Sequence, residues 1–462
     1  MEPSTSTVAK EPVTTERNAR RAALASAVGS LVEWYDFALY GAAAALIFNK
    51  QFFGDGDPAV GLMGAFATFA VGYFVRPFGG IILGHLGDRV GRKPVMVATL
   101  IIMGISTAAI GLLPSFDTVG ILAPVLLVGL RIVQGLGAGA EYAGAVILSS
   151  ESSGPKLRGF YASWSMTGVY FGGALGLLTF QALLSLMGDA FYTWGWRIPF
   201  LLSLVILFVS SFIRRRVLET RQFTEVKERA QIERVPLLRL FKTEKRRLLV
   251  ALGANFIVGL GYIPQVWALS YLTNNVGIAA VLSLGITATM LILGGVSVPL
   301  FGRLGDLIGR RKLYLYGATF GALWAFPMFL LIDTRQTGLI VVGLVVGFVG
   351  SVAAPYAAQA AFLPELFPPA VRYSGVAFSR EVCGALLGGT APLIATALFA
   401  GTGHWWPIAT FMVAAALVTV VALYYSKYFR SDADQGTDAR FASKTMETGV
   451  VLGRERLASD RV

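Results

Sequence analysis

The sequence predicts an all-α membrane protein in which twelve transmembrane helices form two pseudo-symmetric six-helix halves. Three observations predict this fold. First, 55% of the 462 residues are hydrophobic and 14% are charged, whereas about a quarter of the residues in an ordinary soluble domain carry a charge. Second, twelve apolar stretches reach the length of about 20 residues that a helix needs to cross a bilayer. Third, one charged motif occurs once in each half of the chain, which indicates an internal repeat.

The twelve predicted spans define the organisation of the chain. Their ranges are 22–49, 59–83, 94–114, 121–149, 158–186, 197–213, 248–273, 279–301, 313–332, 337–363, 373–400 and 406–428. The spans and the polar segments around them divide the chain into five parts. These are a polar cytoplasmic N-terminus (1–21), an N-terminal six-helix half (22–213), a basic cytoplasmic linker (214–247), a C-terminal six-helix half (248–428) and a cytoplasmic tail (429–462). The tail is polar and mixed in charge, which favours disorder.

The distribution of basic residues predicts the orientation of the helices. With both termini in the cytoplasm, the inner loops hold most of the lysines and arginines. Segment 214–247 alone has twelve of them against five glutamates, a net of +7 out of the chain's +12. Basic loops favour the cytoplasmic side. We therefore expect a multi-pass protein of the cell inner (plasma) membrane with both termini inside. The linker's charge fits a topogenic loop, and contact with anionic lipid is the alternative.

Composition and motifs argue against enzymatic chemistry. The chain has one cysteine, Cys383, and two histidines, too few for a usual zinc site or a cysteine–histidine nucleophile. Residues 135–140 fit the loose pattern G-x-G-x-x-A, but they lie inside a predicted span with no preceding strand, so they do not predict a dinucleotide site. The phosphate-binding run G-x-x-x-x-G-K-[ST] does not occur. We expect no enzyme, no metal, no cofactor and no nucleic-acid partner.

The repeated motif follows the second predicted helix of each half. It reads GHLGDRVGRKP at 84–94 and GRLGDLIGRRK at 302–312, with six of the eleven positions identical. Two six-helix halves in parallel repeat place a substrate site between the halves, near the midplane of the membrane.

These motifs resemble a known family. The segment 84–94 resembles the signature between helices two and three of the major facilitator superfamily, and 302–312 resembles its second-half copy. Further stretches resemble the metabolite:proton symporters of that superfamily, namely EWYDF (33–37), RPFGG (76–80), RIVQG (131–135), WGWRIPF (194–200) and RYSG (372–375). The resemblance implies a monomeric secondary transporter that uses the proton gradient to take up a small organic acid or a related polar metabolite.

Ionisable side chains inside the first and fourth predicted helices are candidates for the mechanism, because such groups are costly in a membrane. At about 100° per residue, the polar residues of each helix fall on one stripe. We predict that this half binds substrate through Tyr40, Arg131, Gln134 and Tyr142, and couples protons through Glu33, Asp36 and Glu141. A guanidinium matches the two oxygens of a carboxylate, so Arg131 is expected to hold the substrate anion. The alternative is a fixed ion pair that joins helices.

The second half contributes further candidates. Tyr356 and Gln359 lie about 60° apart on the tenth predicted helix, and Arg380 lies deep in the eleventh. We predict substrate contact for these three residues. The resemblance implies that the aspartate of the repeated motif holds a cytoplasmic gate closed. The predicted gate residues are Asp88, Arg92, Asp306, Arg310 and Arg76. For Arg76, which precedes the first motif, pairing with another helix and substrate contact are the alternatives.

Four functional readings compete. Proton-coupled uptake is preferred, with a shikimate-like or aromatic carboxylate as the favoured substrate, because aromatic and amide side chains are plentiful in the predicted cavity. An exporter by proton antiport is the main alternative, but the fifth helix (167–176) has the glycines of an exporter motif without its proline. Short outer loops disfavour a membrane-embedded enzyme that acts on lipid. An osmosensing transporter is disfavoured because the tail lacks a sustained heptad repeat.

Overall fold

The computed structural model describes residues 16–54, 56–90, 92–138, 155–216, 236–368 and 371–429, with Ser149 and Ser153 as single positions. Within this part of the chain, twelve long helices follow one another and no strand occurs. They are α1 (Glu16–Leu46), α2 (Pro58–Val90), α3 (Arg92–Gly111), α4 (Leu122–Ala138), α5 (Arg158–Met187), α6 (Arg197–Arg216), α7 (Lys245–Val276), α8 (Ala280–Ile308), α9 (Arg310–Asp333), α10 (Thr337–Leu366), α11 (Arg372–Thr402) and α12 (Trp406–Tyr425).

The predicted all-α fold with twelve transmembrane helices is confirmed. By length and composition alone, eight of the helices are apolar enough to cross a membrane, and two more carry shorter apolar stretches, Ala98–Gly111 and Leu122–Ala138. Short helices at Phe48–Phe53, Phe116–Val119 and Pro236–Thr243 lie between them. Most of the predicted linker and all of the predicted tail after residue 429 lie outside the described residues, so the predicted domain boundaries stay predictions.

Two helices run further than the hydropathy predicts. Helix α2 continues to Val90 rather than residue 83, and α8 continues to Ile308 rather than residue 301. The charged motif is therefore largely helical in both halves, because helix hydrogen bonding continues past the apolar stretch. In the second copy, Gly309 ends α8 with φ of 98°, a left-handed conformation that glycine adopts without steric cost.

The two halves share one pattern of helix pairs. In the N-terminal half α1 packs on α5, α2 on α4, and α3 on α6. In the C-terminal half the corresponding pairs are α7 with α11, α8 with α10, and α9 with α12. Across the halves, α5 packs on α8 and α2 packs on α11. The sequence repeat is thus matched by a structural repeat.

Small residues allow the closest of these contacts. A Cβ atom at Gly168 or Gly172 of α5 would lie 2.0 Å or 2.1 Å from a backbone oxygen of α1. Such close backbone approach between membrane helices depends on small residues.

Three helices of the C-terminal half contain a wide π-helical turn. The turns inside these helices are Ile263–Trp267 in α7, Val349–Ala353 in α10 and Gly384–Gly389 in α11. Helix α7 also ends on a π-helical turn, Leu272–Val276. In the described parts of α1 to α6 no such turn occurs. Single π-helical turns inside α-helices are frequent at functional sites, and these three lie at the level where the two halves meet.

Candidate functional site

A central cavity lies between the two halves. Its walls come from α1 and α2 on one side and from α7, α10 and α11 on the other. It is lined by Trp34, Tyr73, Arg76, Asn255, Val258, Gly259, Tyr262, Tyr356, Arg380, Glu381, Cys383 and Gly384. The position agrees with the midplane site expected for two parallel repeats.

Arg76 is the principal cation that the N-terminal half presents to this cavity. The residue is 4% exposed, and its guanidinium carbon lies 3.9 Å from the centre of the Phe37 ring and 4.5 Å from that of Tyr73. Its Nη2 is 3.6 Å from Oε1 of Glu33, which is an ion pair but too long for a hydrogen bond. Within the described residues, Nε and Nη2 of Arg76 have no hydrogen-bond partner. Arg76 therefore has spare donors at the cavity.

The predicted position of Arg76 at the gate differs from its place in the structure. Because α2 continues to Val90, Arg76 lies well inside the helix, at the level of Glu33 on α1. The alternative reading, substrate contact, fits this place.

The C-terminal half contributes a cation, a carboxylate and a phenol. Arg380 is 9% exposed and its guanidinium carbon lies 5.7 Å from the centre of the Tyr356 ring. Glu381 is 8% exposed and lines the same cavity as Arg76 and Arg380. The predicted residues Tyr356 and Arg380 are thus brought together at the cavity wall.

Aromatic side chains join the two halves at the cavity. The Tyr73 hydroxyl donates a hydrogen bond of 2.8 Å to the Tyr262 hydroxyl. The Trp34 and Tyr262 rings stack with their centres 6.2 Å apart. The cavity consequently combines an apolar, ring-lined surface with hydroxyl groups and charges of both signs.

Arg131 lies away from this cavity, inside the N-terminal half. It is fully buried, and its guanidinium carbon lies 3.8 Å from the centre of the Tyr40 ring. It donates to Oε1 of Gln134 at 2.5 Å and to the backbone oxygen of Phe69 at 3.2 Å. Gly72 makes room for it, since a Cβ there would lie 2.7 Å from the guanidinium. The structure does not place Arg131 where the predicted substrate site is.

A hydrogen-bonded relay connects Arg131 to the membrane carboxylate Asp36. Gln134 donates to the Thr107 hydroxyl at 2.8 Å, and that hydroxyl donates to Oδ2 of Asp36 at 2.9 Å. Tyr40, another predicted substrate contact, donates instead to the Thr68 hydroxyl at 2.5 Å. Arg131 and Gln134 therefore belong to a hydrogen-bonded chain that ends at Asp36, and neither they nor Tyr40 are among the residues that line the central cavity.

Two of the three predicted proton-coupling carboxylates, Glu33 and Asp36, border a second, smaller cavity. Its empty volume is about 270 Å³ and it lies among α1, α3 and α6, lined by Val32, Glu33, Asp36, Leu100, Met103, Gly104, Ser203 and Leu207. Glu33 pairs with Arg76, which lines the central cavity. Glu33 thus lies between the two spaces.

Gln359, predicted to contact substrate, lies behind the cavity wall. Its amide nitrogen donates to Oδ1 of Asn255 at 2.7 Å and lies 3.0 Å from the Tyr314 hydroxyl. Asn255 lines the cavity. Gln359 is therefore placed to orient Asn255.

The second copy of the repeated motif joins the two halves. Asp306, at the end of α8, accepts hydrogen bonds from the backbone nitrogens of Gly159 and Phe160 at 2.8 Å and 3.0 Å. It also pairs with Arg310 at 2.8 Å. These nitrogens belong to the first turn of α5, where a helix favours negative charge. Asp306 and Arg310 thus occupy an interface between the halves, as a gate requires.

Two more charged residues complete this interface. Glu365, near the end of α10, pairs with Arg310, and Arg158, at the start of α5, lies 3.6 Å from the Glu365 carboxylate. Sequence reasoning missed Glu365 and Arg158. It also missed Tyr73 and Tyr262, although Tyr73 lies one helical turn before Arg76 and so on the same face.

Several predicted residues lie outside the described part of the structure. Glu141 and Tyr142 fall in the segment 139–148, which is not described. Asp88 lies near the end of α2 and Arg92 begins α3, and their side chains are not described. The roles predicted for these four residues stay predictions.

Comparisons with known proteins identify the family. The model of the Major Facilitator Superfamily matches residues 26–392. The shikimate transporter of Escherichia coli is 38% identical over 423 residues, which cover 88% of this chain and 94% of that protein. The proline/betaine transporter of E. coli is 33% identical over 426 residues, which cover 87% and 82%. The resemblance to the metabolite transporters of this superfamily is confirmed.

The fold agrees with this result. The solved structure of the xylose transporter XylE from E. coli, in a partially occluded inward-open conformation, superposes with a TM-score of 0.66, covering 89% of this chain and 97% of that one at 17% identity. The related proteins are transporters rather than enzymes. The chain is therefore a multi-pass membrane transporter of small molecules, and it belongs to the Major Facilitator Superfamily.

Proposed function

We propose that this protein takes up a small carboxylate-bearing metabolite together with a proton across the inner membrane. The observation that carries the proposal is Arg76, a buried cation with hydrogen-bond donors that no described residue occupies, which lines the same cavity as Arg380. A guanidinium fork is suited to bind a carboxylate through two hydrogen bonds. We assign the substrate anion to Arg76 and Arg380, one from each half. The protein acts as a monomer, with both termini in the cytoplasm and no cofactor.

The pair formed by Arg76 and Glu33 supplies a route to coupling. When a substrate carboxylate binds Arg76, two anions compete for one buried guanidinium. A like charge close by disfavours the ionised form of a carboxyl group. Protonation of Glu33 removes this conflict, so substrate and proton bind together. Release of the substrate restores the ion pair and expels the proton.

Asp36 is the second proposed proton-coupling residue. It is 6% exposed, and Thr107 links it through Gln134 to Arg131. Charges inside a membrane protein are stabilised by such networks. We therefore propose that Arg131, Gln134 and Tyr40 position and polarise Asp36 instead of touching the substrate.

The cavity lining favours a cyclic hydroxy acid. Trp34, Tyr73 and Tyr262 offer flat apolar surface together with hydroxyl groups, and Asn255 adds an amide. Apolar pockets with a few placed polar groups are the usual form of a small-molecule site. Shikimate, the substrate named for one relative, has this chemistry and is the first probe.

Uptake into proteoliposomes tests the proposal. Labelled shikimate, citrate, succinate, proline and betaine are each supplied with an inward proton gradient. Loss of a charge-assisted contact costs about 2–5 kcal/mol, so Arg76→Gln and Arg380→Gln are each expected to weaken carboxylate binding roughly 30-fold or more. Arg335→Gln, which changes an exposed arginine between α9 and α10, is the matched control. Unchanged affinity in both cavity variants, or transport of no carboxylate, contradicts the anion assignment.

The same vesicles distinguish symport from antiport. With a pH-sensitive dye inside and no imposed proton gradient, inward movement of substrate acidifies the lumen in symport and makes it alkaline in antiport. The alternative function, export by antiport, predicts alkalinisation. In the structure the glycines of α5 pack against α1, so they have a packing role that requires no exporter motif.

A further inference from the structure

The second cavity, among α1, α3 and α6, has no part in the substrate site proposed above. Two carboxylates, Glu33 and Asp36, and the Ser203 hydroxyl group are the polar groups of its described lining. No described residue lines both this cavity and the central one. Each carboxylate belongs to a residue that is 6% exposed. Buried carboxylates at membrane depth mark ion pathways and proton relays, so the second cavity is a candidate for such a pathway.

Helix α1 separates the two cavities. At 3.6 residues per turn, Asp36 lies about 160° round the helix from Trp34, and Glu33 lies between them. Trp34 lines the central cavity and Asp36 lines the second one. Glu33 also lines the second cavity, yet its carboxylate pairs with Arg76 of the central cavity at 3.6 Å. Glu33 therefore connects the two spaces.

The lining of the second cavity suits water better than a metabolite. A buried water molecule needs two to four polar partners, and the two carboxylates and Ser203 can supply them. The Ser203 hydroxyl donates to the backbone oxygen of Phe200 at 2.6 Å, so its oxygen is left to accept. The described lining includes no basic side chain, so an anionic substrate has no binding group there.

We propose that the second cavity admits water and carries the coupled proton to and from Asp36 and Glu33 by a route that the substrate does not take. A hydronium ion gives its proton to a carboxylate oxygen and leaves a water molecule, and deprotonation reverses this step. Substrate and proton then meet only at the pair formed by Glu33 and Arg76. The inference rests on the proton-coupling role proposed above for the two carboxylates.

Cysteine labelling tests whether water enters the second cavity. Ser203→Cys is made in a Cys383→Ala background, and the full-length protein is reconstituted without substrate and treated with aminoethyl methanethiosulfonate. Ser106→Cys is the matched control, because Ser106 is a buried serine of α3 that donates to a backbone oxygen at 2.6 Å and lines neither cavity. We expect the thiol at position 203 to react about tenfold faster or more, since apolar burial suppresses the reactive thiolate.

Filling the cavity tests whether this route carries the proton. Ser203→Leu places an apolar side chain in the second cavity and keeps every residue of the central cavity. We expect proton-driven uptake of shikimate to slow about tenfold or more, a rise of about 1.4 kcal/mol in the barrier. Exchange of labelled for unlabelled shikimate at equal pH should keep the parental rate, because exchange requires no release of the proton. Ser106→Leu should leave both rates unchanged.

Three results overturn the inference: equal labelling of Ser203→Cys and Ser106→Cys, unchanged proton-driven uptake in Ser203→Leu, or equal slowing of uptake and exchange in that variant. If Ser203→Leu does not fold, Ser203→Val is used with Ser106→Val as its control, and a smaller slowing of uptake alone is expected. The labelling assay contains no substrate, so its failure is separate from failure of carboxylate uptake.

Discussion

Two buried arginines of the N-terminal half have different surroundings, and this difference decides their roles. Arg76 has one ion pair and open donors at the central cavity. Arg131 stacks on Tyr40 and donates to Gln134 and to a backbone oxygen. Arg76 is arranged to bind a ligand, whereas the guanidinium of Arg131 already donates hydrogen bonds to the protein.

The hydrogen bonds that Arg131 already makes lead to a prediction for single substitutions. An ammonium group cannot reproduce the planar fork of a guanidinium, so Arg131→Lys should lose contacts that each contribute about 1.5–3 kcal/mol. We expect a clearly lower melting temperature and a substrate affinity close to that of the parent. Arg76→Lys is expected to show the reverse, with weak binding and little change in stability. Thermal unfolding and direct binding, measured on both purified variants, check the pair.

If Arg131→Lys lowers the substrate affinity and leaves the melting temperature unchanged, Arg131 binds substrate and the structural role assigned to it is wrong.

At the scale of helices, the end of α8 is attached to the beginning of α5 through one aspartate. Asp306 accepts two backbone hydrogen bonds from α5, and the positive end of that helix adds up to about 2 kcal/mol in a partly buried geometry. The contact crosses the two halves at the end of α8 that carries the repeated motif. It therefore stabilises the conformation in which these two helix ends meet.

We predict that Asp306→Asn changes the rate of transport more than the affinity, because the residue is remote from the cavity-lining side chains. An amide keeps the shape of the carboxylate but loses its charge, which weakens the contact between the end of α8 and the start of α5. The conformation in which these two helix ends meet should therefore be less populated. Initial uptake rates and equilibrium binding measure the two effects. Asp88→Asn, the equivalent change in the first copy of the motif, is expected to behave alike.

Asp117→Asn, at an exposed position of the short helix Phe116–Val119, is the control for both variants. Weaker binding with an unchanged transport rate at saturating substrate would show that the motif aspartates do not act as gates.

Much of the helix arrangement follows from the sequence, and the cavity follows less well. Apolar length predicts all twelve helices, and the motif copies predict the repeat. Periodicity also places Glu33 and Asp36 on one stripe, but it does not give the rotation of a helix against its neighbours. For that reason the sequence predicts Arg131 at the cavity and Arg76 at the gate, whereas the structure places Arg131 inside the N-terminal half and Arg76 at the cavity. The wide turns of α7, α10 and α11 have no clear signal in the sequence, since ordinary helical periodicity continues on either side.

For the whole molecule, the basic loops predict that both termini and the linker face the cytoplasm. Single cysteines at Thr220 and Thr402 in a Cys383→Ala background should react with an impermeant reagent from opposite sides of the membrane. Thr402 ends α11 and is exposed, and Thr220 lies in the predicted linker, outside the described residues. Labelling of intact cells and of inverted vesicles measures the sidedness.

If Thr220→Cys reacts from outside the cell, the predicted orientation is wrong.

The wide turns of the C-terminal half give the two repeats unequal stiffness. A regular α-helix transmits force along its axis through an unbroken ladder of hydrogen bonds, as α1 does through its described length. In α7, α10 and α11 that ladder is interrupted beside the cavity, so less work is needed to bend them. When a bound substrate draws the cavity walls together, the helices of the N-terminal half should therefore keep their shape. The helices of the C-terminal half should bend instead.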